Sequence, residues 1–354
     1  MPVARKTVVD VDQIGVYHCV SRCVRRAFLC GVDDYTGVSY EHRRGWIAER
    51  LKVLSSIFAM EVFAYAVMSN HLHLVVRNRP DLAKDWTAEE VARRWCALFP
   101  KKDGRSGAAE LPSDETIAAF VADAERVELC RGRLGDISWL MRCLNEPIAR
   151  RANREDKCTG RFWEGRFKCQ RLMDEGAMLA CMAYVDLNPV RASIADSLED
   201  SEFTSVYDRL IAERAKARLK ASPELPAPTQ AQEALIRKER VASKRADWLL
   251  DLNGPESPFS GVNLGFYLSL VEWTGQNIRE DKPGYIPLGL KPVLERFDLD
   301  TENWVRNVES YGGLFYRIAG PLDSITARAR EKGLRWLRGQ KGSRALYRNL
   351  KVAA

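Results

Sequence analysis

Two histidines stand two residues apart in the run Met68-Ser69-Asn70-His71-Leu72-His73-Leu74-Val75-Val76. Side chains of an extended strand alternate between faces, so His71 and His73 leave on one side while Leu72, Leu74 and Val76 leave on the other. Two imidazoles on one face could share a divalent cation. Taken alone, the pair fits two half-exposed strand histidines equally well, although the chain has only four histidines to place. A second pair lies in Tyr184-Val185-Asp186-Leu187-Asn188-Pro189-Val190-Arg191. On a helix, Tyr184 and Asn188 at i, i+4 share a face about 6 Å apart, so a hydroxyl and an amide oxygen address one point. A tyrosine hydroxyl beside a cation-bound phosphodiester is a workable nucleophile, and its attack leaves a phosphotyrosine that conserves the bond energy for rejoining. The plain alternative is a tyrosine packed into its own core and an asparagine that ends the helix before Pro189.

The elements that must position these residues are legible as patterns. Residues 15–24 read as a strand, and residues 40–59 carry the helical spacing Trp46, Ile47, Leu51, Leu54, Phe58. Residues 61–68 and 71–77 read as two strands around a Ser69-Asn70 turn. Residues 137–153 return to helical periodicity, and 174–187 form another helix with Asp174 as N-cap and Pro189 as its stop. The expected fold class is α+β, a small antiparallel core within residues 1–207 carrying a helical insertion at about 81–130. Residues 208–252 read as a charged helical connector with a Pro-rich break at 222–229, and 253–354 as a mostly helical C-terminal module.

Charge is distributed unevenly over this chain of 354 residues and net charge +7. Eleven Lys/Arg face five Asp/Glu between Arg131 and Arg171, and nine face one between Ser324 and Ala354, so the remainder is net acidic. Two basic segments on an acidic chain suit a polyanion or two solvated helix faces. Within the first, Arg161, Arg166 and Lys168 interleave with Phe162, Trp163 and Phe167, which offers charge for phosphates and rings for stacking, or core. The second holds Trp336 and Tyr347. The nine scattered cysteines, with no Cys-x-x-Cys, read as reduced thiols of a bacterial-type cytoplasm, and Cys19 and Cys23 as ordinary burial. Neither a membrane span nor a secretory signal is expected.

Taken together, five pieces resemble the HUH single-tyrosine transposases, and within them the REP-associated tyrosine transposases: Tyr17-His18-Cys19-Val20-Ser21-Arg22, Met68 to His73, Ile137 to Met141, Gly160 to Lys168, and Tyr184-x-x-x-Asn188-Pro189-x-Arg191-Ala192. They keep their order over roughly residues 12–207. The resemblance implies a ferredoxin-like antiparallel sheet with helices on one side and single-stranded or hairpin DNA as substrate. It further implies Tyr184 as the nucleophile forming a 5′-phosphotyrosine, and His71, His73 and Asn188 holding Mg²⁺ or Mn²⁺. Arg161, Arg166, Lys168 and Arg191 are then expected on DNA, and the protein in the bacterial cytoplasm, with the nucleoid when bound; His18 reads either as a group behind the histidine pair or as simply buried. Glu164 interrupts the basic stretch, and the insertion and C-terminal module exceed the short members of the family. The rival readings are a non-catalytic DNA-binding regulator derived from a transposase and a metal-dependent RNA nuclease that would not need Tyr184. Monomer and homodimer both remain compatible with the sequence.

Overall fold

The computed structural model describes residues 8–24, 29–33, 36–100, 110–221, 229–280 and 287–348. Most of the Pro-rich break at 222–229, most of the break inside the insertion at 100–107, and the end of the basic tail lie outside the described residues. The chain runs β1 (Gly15–Arg22), α1 (His42–Ile57), β2 (Met60–Val67), β3 (His71–Asn78) and then α2 (Pro80–Asp85), α3 (Ala88–Leu98), α4 (Asp114–Val121) and α5 (Ala124–Leu134). It continues through α6 (Ile137–Glu155), β4 (Lys168–Leu172), α7 (Glu175–Asp186), α8 (Asn188–Arg191), α9 (Ser205–Ala221) and α10 (Gln230–Ser243). The last part holds α11 (Leu264–Glu280), α12 (Lys291–Arg296), α13 (Trp304–Leu314), β5 (Ile318–Ala319), α14 (Leu322–Glu331) and α15 (Gln340–Leu346).

The fold is α+β, with one five-stranded sheet in the order β2-β3-β1-β4-β5. A connection as short as Met68–Asn70 can join only antiparallel neighbours, so β2 and β3 form a hairpin. β5 pairs parallel to β4, with Arg171 opposite Ile318 and Leu172 opposite Ala319. Side-chain caps start several helices where the sequence puts an oxygen. Thr87 accepts from the Glu90 N–H at 3.1 Å, and Asp174 accepts from the Ala177 N–H at 2.9 Å.

Val62 to Val67 of β2 and Leu72 to Val76 of β3 are buried at every position, so both faces of these strands are covered. The second face is covered by residues from later in the chain. Phe63 meets Phe259 at 6.3 Å between ring centroids, and Tyr65 meets Trp248 at 5.0 Å.

The chain divides into two compact units. One comprises Met1–Glu61, Ser69–His71 and Val76–Cys169; the other comprises Val62–Met68, Leu72–Val75 and Gln170–Ala354. In the first, α1 packs on α6, and the insertion helices α3, α4 and α5 pack on one another. Fully buried Arg43 is matched there by Glu155 and Asp156. In the second, α13 lies along α7. Cys19 and Cys23 are both fully buried. No helix among the described residues is long and apolar enough to cross a membrane.

Asp186, at the end of α7, is the buried pin of the second unit. Its carboxylate accepts from the Ser205 hydroxyl, from the Val206 N–H at 3.0 Å and from the Tyr267 hydroxyl at 2.5 Å. Burial raises its pKa, and the Arg209 guanidinium and these donors oppose the rise. Asp186→Ala strands three buried donors and is expected to cost about 3 kcal/mol or more, since each unsatisfied group costs roughly 1–3 kcal/mol. The urea unfolding midpoint reads this loss, and Asp186→Asn, which keeps one acceptor oxygen, should lose less.

Candidate active site

α7 reads Glu-Gly-Ala-Met-Leu-Ala-Cys-Met-Ala-Tyr-Val-Asp, and every position from Gly176 to Asp186 is buried. A helix apolar all round belongs inside a protein. The helix is therefore central, and its small residues let neighbours approach closely. Tyr184 is only 9% exposed. Its ring meets His73 edge-on at 5.6 Å and 88°, and lies against Tyr311 of α13 at 5.3 Å and 34°. Tyr311, itself fully buried, donates its hydroxyl to Oε1 of Gln170 at 3.0 Å. The Tyr184 hydroxyl reaches Gly312, where an added Cβ would stand 2.7 Å from it. Gly312 and Gly313 are exposed, so the hydroxyl sits directly beneath a surface made of two glycines.

Asn188 opens α8 one turn after Tyr184. Its Nδ2 donates to the Tyr184 carbonyl at 3.0 Å, and its Oδ1 accepts from Nη1 of Arg191 at 3.1 Å. The Arg191 guanidinium then lies over the Tyr184 ring, its Cζ 4.7 Å from the centroid. Its Nε is buried with no acceptor among the described residues. Burial pushes the Tyr184 hydroxyl pKa up, and the charge and hydrogen bond of Arg191 pull it back. A half-buried guanidinium held by an amide and a ring, with no carboxylate partner among the described residues, is an electropositive spot at the hydroxyl.

Of the histidine pair, His73 is buried, at 3% exposure, and His71 is half-buried at the start of β3. Nδ1 of His71 stands 2.5 Å from Oδ1 of Asn70. His18 is also buried; loss of water and the neighbouring His71 bring its pKa down to about 4, so the ring is neutral near pH 7. The donor set suits a divalent ion by its chemistry. Imidazole nitrogen and amide oxygen are both ligand types for such an ion, and imidazole nitrogen suits Mn²⁺ better than Mg²⁺. No group of three His, Cys, Asp or Glu side chains that could hold a metal occurs among the described residues.

The basic stretch separates by burial. Arg161, Arg166 and Lys168 are exposed, whereas Phe162 and Phe167 are buried and Trp163 is half-buried, donating its Nε1 to the Asn145 carbonyl at 2.9 Å. Phe162 and Phe167 belong to the core and are not free to stack on bases. Glu164 faces Arg22 at 3.6 Å, a largely exposed pair. Sequence reasoning did not single out Asp186, Tyr311 or Gly312. The uninterrupted apolar run around Tyr184 was the available signal that another element would cover it.

No family model matches the chain, and no curated protein matches it. Among solved structures, the chain is similar to a REP-associated tyrosine transposase bound to a REP hairpin, at 13% identity over 66% of this chain and 97% of that chain, with a TM-score of 0.34.

Proposed function

We propose that the chain is a DNA strand-nicking and rejoining enzyme of the HUH single-tyrosine transposase type, in which Tyr184 attacks a phosphodiester of single-stranded or hairpin DNA. The reading rests on one observation above the others. Two motifs distant in sequence, the histidine strand and the tyrosine helix, meet at His73 and Tyr184 with their rings 5.6 Å apart.

The Tyr184 oxygen bonds to phosphorus as the bond from phosphorus to the 3′ oxygen of the neighbouring nucleotide breaks; the hydroxyl proton ends on that leaving 3′ oxygen, and the 5′ phosphate stays on the enzyme. The same bond is exchanged back when a 3′ hydroxyl returns. Asn188 holds Arg191 over the ring, which keeps a positive charge where negative charge develops on the phosphate. Gly312, exposed and without a side chain, leaves room beside the hydroxyl that any other residue would fill. His71, His73 and Asn188 would hold Mn²⁺ or Mg²⁺, which supplies further charge neutralisation at the phosphate.

The test is a labelled pool of single-stranded hairpin DNA incubated with the protein and Mn²⁺. A covalent protein–DNA adduct that resists denaturation and is prevented by EDTA is expected. Metal-dependent cleavage with free 5′ phosphates and no adduct would favour a nuclease, and binding without cleavage a regulator.

Arg161, Arg166 and Lys168 are the proposed phosphate contacts of the first unit, because their charges are exposed while the rings beside them are buried. Replacing all three with Ala should weaken DNA binding and flatten the slope of log affinity against log salt by about 2, at about 0.7 per lost contact to a single strand. An unchanged slope in a salt titration would put the DNA path elsewhere.

A further inference from the structure

The basic segment between α14 and the end of α15 holds one aromatic ring that the fold leaves outside, and a second exposed ring stands just before β5. Trp336 is 64% exposed and Tyr316 is 51% exposed. From Gly333 to Arg344 there is no Asp or Glu, while Arg335, Arg338, Lys341 and Arg344 are all exposed. Tyr316 is tied to this segment by two contacts. Gly339 packs so closely on β5 that an added Cβ would stand 3.1 Å from the Ile318 carbonyl oxygen, and Arg338 reaches back over Tyr316 at 5.7 Å from the ring centroid. Arg317 covers the same ring at 5.1 Å. Tyr347, the other aromatic of the basic segment, is excluded from this surface because it is buried and donates its hydroxyl to Asp174 at 2.5 Å.

We infer that Trp336 and Tyr316, with Arg335, Arg338 and Lys341, form a second nucleic-acid surface that binds single strands by stacking bases on the two rings and pairing their phosphates with the guanidinium and ammonium groups. An exposed indole loses contact with water at little conformational cost when a base covers it, and every base has a face to offer, so such a platform tolerates sequence. Duplex DNA keeps its bases stacked inside and presents only phosphates. An anionic membrane would be served by an amphipathic helix with an apolar face, whereas Gly333–Gly339 lies outside α14 and α15. The surface contains none of the residues assigned to chemistry, so its binding does not depend on the reading of Tyr184.

The test is fluorescence anisotropy of the full-length protein with labelled single-stranded DNA of mixed sequence, with the matching duplex, and with vesicles containing phosphatidylserine. Trp336→Ala is expected to weaken single-strand binding on the order of 10-fold, and Trp336→Phe to restore most of it. The triple change of Arg335, Arg338 and Lys341 to Ala should flatten the salt slope by about 2. Trp336 is exposed, so its substitution leaves the thermal midpoint in place. Unchanged affinity in Trp336→Ala, equal binding of the duplex, or a Trp336-dependent affinity for vesicles but not for DNA would each overturn the inference. Loss of the covalent adduct with intact single-strand binding would instead indict Tyr184 chemistry alone.

Discussion

Tyr184→Phe is expected to yield no covalent adduct at any DNA concentration, while the affinity for single-stranded DNA stays within about 2-fold, because only the attacking oxygen is removed. The phenyl ring keeps its contacts with His73 at 5.6 Å and Tyr311 at 5.3 Å, so the packing around α7 survives. The hydroxyl is the nucleophile in this reading, and no neighbouring group replaces it. Tyr311 is fully buried and its hydroxyl is committed to Gln170. Denaturing gels of protein incubated with labelled DNA and Mn²⁺ read the result directly. A phenylalanine variant that still carried label would end the assignment of Tyr184, whatever happened to the other residues.

Arg191→Gln should lower the rate of adduct formation at saturating DNA by on the order of 10²–10³-fold, the loss typical of removing one preorganised donor from developing charge. The guanidinium stands 4.7 Å over the nucleophile's ring, bonded to Asn188 at 3.1 Å, and has no ion-pair partner among the described residues. A charge kept there without a carboxylate is poised for an anion that arrives with the substrate. Arg191→Lys retains charge but not the planar fork that reaches Asn188 and the ring together, so it should recover only part of the rate. Single-turnover kinetics separate this from binding. If the saturating rate were unchanged and only the affinity fell, Arg191 would be a DNA clamp, as the motif resemblance alone suggests.

Local features of the site were legible in the sequence to within a few residues. The helix expected at 174–187 is α7 from Glu175 to Asp186, with Asp174 capping it as its side chain and position require. The strands expected at 61–68 and 71–77 are β2 and β3. The stretch read as helical from about 81 to 130 carries α2 to α5, and there the structure shows Thr87 capping α3 by accepting from the Glu90 N–H. Such features depend on neighbours along the chain, and the chain carries that information in order.

Burial could not be read in the same way. The alternation around His71 and His73 specifies which side the imidazoles leave, but whether that side meets water depends on elements much later in the chain. His73 is buried because α7 supplies Tyr184 against it. Phe162 and Phe167, readable as stacking rings, are core, and Tyr347, read as part of a basic tail, is buried with its hydroxyl donated to Asp174.

By itself, then, the sequence determined residue chemistry, local element type and the spacing that sets Tyr184 and Asn188 one helical turn apart. Only the tertiary structure decided that Arg191 covers the tyrosine, that Gly312 borders its hydroxyl and that Trp336 stays outside. Hydrophobic burial is non-directional and acts between segments of any separation, so the partner of an apolar face is chosen by the packing of the whole chain and not by the pattern on that face.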